Sequence, residues 1–172
     1  MKGVIVCCLR ELVKIKFGSN KWEKALAESG AADLLLLPIS DIDDHTVIKI
    51  IDSLCKILNI SFDQAADAFG DYWVNGYAPK MYAAYLGEIH TAKQYLLKMD
   101  EVHVAATKNI PNAKPPRFEY TMVDDHTLIM KYKSHRGLIK ILMGLIKGVG
   151  KHFNENLVLT KLGEDRVKIV FP

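Results

Sequence analysis

The feature that most constrains this chain is a change of hydrophobic period across a cluster of prolines. Before Pro111, apolar residues recur every three or four positions; directly after Pro116, over residues 118–133, they alternate. Each proline fixes φ and lacks an N–H, so no helix or central strand passes through Pro111, Pro115 and Pro116. Upstream, residues 2–17 carry Val4, Ile5, Cys8, Leu9, Leu12 and Val13 at helical spacing. Gly18 suits the end of that helix, and Ser19 or Asn20 the start of a second one through Trp22 to about Ser29. The acidic string Ser40–Asp44 opens a helix from Thr46 to Leu58, ended by Asn59. Ser61 or Asp63 opens the next helix, to about Val74, with Gly76 and Pro79 as breaks. A short helix over 80–87 and a long one over 89–109 follow.

Downstream, Phe118–Val123 and Leu128–Lys133 form a strand pair, and residues 137–153 a helix. Asn156–Leu162 and Arg166–Phe171 form a second pair around Gly163-Glu164-Asp165. Helices first and strands last predict an α+β fold rather than a parallel doubly wound one. The expectation is one domain over 1–172, with an N-terminal helical lobe (1–60). The C-terminal lobe (61–172) holds a four-stranded antiparallel sheet and packed helices.

Composition removes several classes of function. A net charge of +3 without a dense Lys/Arg run gives no case for nucleic acid. No apolar run approaches the ~18 residues of a membrane span. Cys7, Cys8 and Cys55 make neither an even disulfide set nor a C-x-x-C metal pair, which suits reduced thiols in a cytoplasmic protein. The acids of 40–44 lack the glycine and closing glutamate of an EF-hand loop.

Two stretches carry chemistry. On the long helix, Leu96, Met99, His103 and Ala106 share one face, an oily stripe with a single imidazole in it, while Asp100 and Glu101 point elsewhere. Such a histidine is either a packed core residue or a ligand to something large and apolar. Some thirty residues on, Tyr132, Ser134 and Arg136 form a Y-x-S-x-R string. Its two-residue spacing fits the end of a strand presenting two hydroxyls and a guanidinium on one side, a set suited to carboxylates. An axial nitrogen for the iron, and cationic and hydroxyl donors for the propionate carboxylates, are the two needs of haem.

These residues resemble the haem-nitric-oxide/oxygen-binding family (H-NOX), which also forms the sensor domain of soluble guanylate cyclases. The likeness lies in the "MDEVH" and "YKSHR" strings, the opening Met1–Val6, the Ser40–Asp44 segment and the Lys114–Arg117 turn. It implies haem b with His103 as the iron ligand and Tyr132, Ser134 and Arg136 on the propionates. It also implies Pro116 and Met99 against the porphyrin, and Ile5, Leu9 and Trp73 on the gas-binding side. Oxygen-binding members carry a tyrosine five residues beyond the Arg of the string. Here that place holds Ile141, and Leu145 nearby is oily as well. The resemblance therefore implies a cytoplasmic sensor of nitric oxide and carbon monoxide that excludes oxygen and has no turnover of its own. In a stand-alone bacterial member, rearrangement of the His103 helix and haem would signal to a separate histidine kinase or cyclic-di-GMP enzyme. The competing expectations are a haem enzyme, an oxygen-binding haem protein, or a haem-free interaction module with His103 merely packed.

Overall fold

The computed structural model describes residues 1–172 and contains seven α-helices, one π-helical turn and four strands. The chain divides into two units. One comprises Met1–Ala65 with Ile110–Ala113, the other Ala66–Asn109 with Lys114–Pro172.

In the first unit, α1 (Gly3–Phe17), α2 (Ser19–Glu28) and α3 (Asp44–Leu58) bury Val6, Val13, Trp22, Val47, Ile50 and Leu54 in one apolar cluster. Gly3 explains the small residue at the chain's start. A Cβ there would lie 2.0 Å from the Leu37 carbonyl oxygen, so only glycine lets α1 begin against the 37–40 turn. The acidic string has two separate jobs. Asp41 pairs with Lys2 at 2.6 Å, and the Asp43 carboxylate caps α3 by accepting from the Thr46 N–H at 2.9 Å. Asn59 ends α3 in the left-handed region, at φ 52°. The expected capping of α2 by Ser19 or Asn20 does not occur. Gly18 takes the cap position and supplies no side-chain bond, and Ser19 is already helical.

α4 (Phe62–Tyr72) opens on a capping box. Ser61 Oγ accepts from the Gln64 N–H at 3.2 Å, and Gln64 Oε1 accepts from the Ser61 N–H at 2.8 Å. The break expected at Gly76 and Pro79 is absent. The chain continues through the π turn Trp73–Tyr77 directly into α5 (Ala78–Leu86). Pro79 sits in the first turn of α5, where its missing N–H costs nothing. α6 (Ala92–Thr107) starts three residues later than expected because the Thr91 hydroxyl caps it, accepting from the Gln94 N–H.

The second unit is built on an antiparallel sheet of order β1-β2-β4-β3, with β1 Arg117–Asp124, β2 Thr127–Lys133, β3 Val158–Leu162 and β4 Arg166–Val170. The register places Phe118 opposite Tyr132, Tyr120 opposite Met130, and Leu128 opposite Ile169. These residues and Val167 form the packed face, against Leu96 of α6 and Leu142 and Ile146 of α7 (Ile139–His152). α4 and α7 meet on a glycine seam. A Cβ on Gly144 would lie 2.2 Å from the Ala66 carbonyl oxygen, and one on Gly148 2.5 Å from that of Gly70. No helix is long and apolar enough to cross a membrane.

Candidate functional site around His103

Helix α6 buries Tyr95, Leu96 and Val102 and leaves Met99, His103 and Ala106 half-buried beside them. The imidazole thus sits at the border of the apolar cluster rather than at its centre. His103 Nδ1 lies 3.0 Å from the Pro116 carbonyl oxygen. A carbonyl only accepts, so Nδ1 carries the proton, and in the neutral ring Nε2 is left with its lone pair. Burial holds the imidazole pKa below its ordinary value, with the nearby Arg117 charge acting the same way. The Pro116 hydrogen bond and Asp100 oppose the shift without cancelling it. The outcome is a neutral ring in the tautomer a metal needs, its second nitrogen fixed by a backbone carbonyl.

The segment opposite is held by Asp100, one turn before His103. Its carboxylate accepts from Arg117 Nε and Nη2 at 2.7 and 2.6 Å, and Oδ1 also accepts from the Phe118 N–H at 2.8 Å. The Arg117 fork holds the Asp100 carboxyl well below the usual range, at about 2. The Tyr120 hydroxyl donates to the Leu96 carbonyl at 2.9 Å and accepts from the Asp100 N–H at 3.2 Å. Asp100, expected to point away, is therefore engaged. The pairing 17 residues apart left one sequence signal, an acid one turn ahead of the histidine and an arginine directly after the prolines.

Phe118 was read only as a strand residue, yet its ring joins the two chemical stretches. Its centroid is 5.3 Å from that of His103 and 6.2 Å from that of Tyr132. The Y-x-S-x-R string needs a correction, because β2 ends at Lys133 and Ser134 to Arg136 lie in the following turn. Strand alternation thus does not carry all three onto one face. The turn does the work instead: Ser134 Oγ accepts from the Arg136 N–H at 3.3 Å, and Arg136 Nη1 donates to the Lys114 carbonyl at 2.8 Å. Tyr132 is buried, Ser134 and Arg136 are half-buried, and His135 is exposed.

Trp73 stacks between Phe69 and Tyr77, with centroids 5.8 and 5.6 Å away, and packs on the second unit's core, as do Met99 and Leu145. Ile141, on α7, is half-buried. Ile5 and Leu9 lie on α1 of the first unit, both half-buried, Leu9 packed on that unit's core. All three cysteines are free, and burial pushes the Cys8 thiol up to about 12, so it offers no ready thiolate.

No group of three or more His, Cys, Asp or Glu is arranged to hold a metal ion. The donor set fits haem: one imidazole nitrogen free on the border of an oily cluster, and a hydroxyl and guanidinium set at the end of β2. This defines the class as an α+β domain with a half-buried, neutral imidazole at the edge of its apolar cluster.

Comparison with known proteins agrees. The family model described as Haem-NO-binding matches residues 2–161. The soluble guanylate cyclase gcy-32 of Caenorhabditis elegans is 26% identical over 95% of this chain. The match takes up 25% of that protein, so the chain spans about a quarter of the length of the curated relatives it matches. An oxygen-binding H-NOX domain related to soluble guanylate cyclases, solved as its oxygen complex, is 26% identical with a TM-score of 0.81. The match covers 99% of this chain and 95% of that one. An H-NOX protein from S. oneidensis, solved in the Fe(II)NO ligation state, shares the fold at TM-score 0.87 and 19% identity, over 100% of this chain and 98% of that one. The chain belongs to the H-NOX family of haem-binding gas-sensor domains.

Proposed function

We propose that this domain binds haem b through His103 and senses nitric oxide, with carbon monoxide as a second ligand, while excluding oxygen. The carrying observation is the Nδ1–Pro116 hydrogen bond, which leaves His103 Nε2 as the donor nitrogen. His103 would hold the haem iron, which when bound would supply the centre for a diatomic gas. Tyr132, Ser134 and Arg136 would take the propionates, with Arg136 neutralising their charge. Pro116 and Met99 would line the ring on the His103 side, and Trp73, Ile141 and Leu145 the gas side. Oxygen binding is favoured by a hydrogen-bond donor, and α7 carries Ile141 where oxygen-binding members place a tyrosine, with Leu145 oily as well. In this reading the domain has no turnover of its own. A shift of α6 when His103 is released would pass the signal to a separate effector, a histidine kinase or a cyclic-di-GMP enzyme.

One absorption series tests the proposal. Reduced protein is recorded alone, then with oxygen, carbon monoxide and nitric oxide. The expected result is a Soret band that moves with the last two gases and stays in place in air-saturated buffer. A stable shift in air would establish the oxygen-binding reading instead, with the Trp73 indole as the donor to examine. Colourless protein after growth with ample porphyrin precursor would leave the haem-free module as the reading.

A further inference from the structure

We propose that Asp100 is a positioning residue, which sets the orientation and hydrogen bonding of the His103 ring by gripping the chain directly after Pro116. The proposal rests on the assignment of His103 as the ligand-bearing side chain. Asp100 and His103 are three residues apart on α6, hence on the same side of the helix. They hold consecutive residues of the segment entering β1. His103 takes the Pro116 carbonyl at 3.0 Å, while Asp100 takes the Arg117 side chain at 2.6–2.7 Å and the Phe118 N–H at 2.8 Å.

The prolines make this grip necessary. Pro115 and Pro116 have no N–H, so the segment cannot be held through its own donors where it passes the imidazole. The nearest backbone donors lie just beyond, on Arg117 and Phe118, and Asp100 takes the second of them. The Tyr120 hydroxyl adds a further point, bridging the Leu96 carbonyl and the Asp100 N–H, two groups paired by one rung of an ideal helix. Through these bonds the Pro116 carbonyl is fixed relative to α6 and not merely near it. A carbonyl fixed on Nδ1–H sets the ring's rotation and raises the basicity of Nε2; losing such a partner typically costs 10–100-fold in metal affinity. Asp100 would thus tune how strongly His103 holds its ligand without touching that ligand.

The first readout uses haem-free protein. In nitrogen-15 NMR, the His103 Nδ1–H should exchange slowly with water in the wild type and roughly tenfold faster in Asp100→Ala, the change expected when one hydrogen bond is loosened. Unchanged exchange in Asp100→Ala overturns the proposal. The second readout uses the reduced, haem-loaded protein without gas. The iron–histidine stretching band in resonance Raman should move to lower frequency in Asp100→Ala, less so in Arg117→Ala, which leaves the Phe118 bond in place. Asp100→Asn retains an acceptor for Phe118 and should restore part of the shift; if Asp100→Ala does not fold, this variant and Arg117→Ala decide the matter. Glu119→Ala removes the neighbouring Lys133 pair on the same strand pair and should change neither readout. An equal shift in Glu119→Ala would show general loosening of the sheet and sink the assignment. A wild type that takes up no haem would refute the functional reading, while the NMR comparison still decides the role of Asp100.

Discussion

Arg136 reaches back across the chain, donating from Nη1 to the Lys114 carbonyl at 2.8 Å, two residues before the proline that bears on His103. Removing it would take away both this tie and the charge proposed to meet the propionates. A hydrogen bond to a charged group contributes about 1.5–3 kcal/mol, so Arg136→Ala should lose haem roughly 10–100-fold faster. Transfer of haem to an apo-globin scavenger measures this directly, and wild-type retention in the variant would exclude Arg136 as a clamp. At this scale the sequence was informative wherever one residue's own period or chemistry decided its place. His103 stands on the expected face with Leu96 and Met99, because helical spacing alone puts them there. The Asp100–Arg117 fork left only the placing of its acid and its arginine as a sign, and the Phe118 bridge none, since both depend on how the segment after Pro116 is laid against α6. No local rule of spacing contains that information.

Among the elements, the crossing of α4 and α7 depends on backbone approaching backbone. Gly70, Gly144 and Gly148 leave no room for a Cβ. One on Gly144 would lie 2.2 Å from the Ala66 carbonyl oxygen, and one on Gly70 2.1 Å from the Gly144 carbonyl. The exposed Lys147–Asp67 and Lys151–Asp71 pairs flank the seam but contribute little, as solvent-exposed ion pairs do. Gly144→Ala should therefore destabilise the fold by on the order of 2 kcal/mol through overpacking, although alanine is the better helix former. Urea unfolding would measure it; a variant as stable as the wild type would mean that the seam opens without cost. Helical spacing alone puts Leu138, Ile141, Leu142, Leu145 and Val149 on α7's apolar face, whereas the buried set includes Ile139, Ile146 and all three glycines of the helix. Counting apolar side chains misses a contact made where side chains are absent. The π turn was missed for a related reason. Gly76 and Pro79 look like breakers in isolation, yet a widened turn followed by a proline in the first turn of α5 accommodates both.

For the molecule as a whole, the α+β order was legible because helical period gives way to alternation at the prolines and returns only over residues 137–153, and the two hairpins follow from alternation and turn residues. The pairing of β2 with β4, which joins those hairpins into one sheet, was not, since antiparallel neighbours far apart in sequence leave no local mark. A cofactor bound only by the folded chain should stabilise it by mass action. Free haem at 100 times its dissociation constant contributes about 2.7 kcal/mol, which for a domain of this size is a rise of roughly 5–10 °C in Tm. Melting the haem-loaded and haem-stripped protein side by side checks this, and identical curves would mean that the folded state gains nothing from the pigment.

The strand order has a practical corollary. Because β4 lies between β2 and β3, the last few residues of the sheet are a keystone rather than a tail. Cutting the chain after Lys161 would strip β2 of its partner from Thr127 to Lys131 and bare a row of unsatisfied amides beside the Y-x-S-x-R turn. A protein so shortened would keep every residue assigned to the cofactor and still be expected to clump through that open seam.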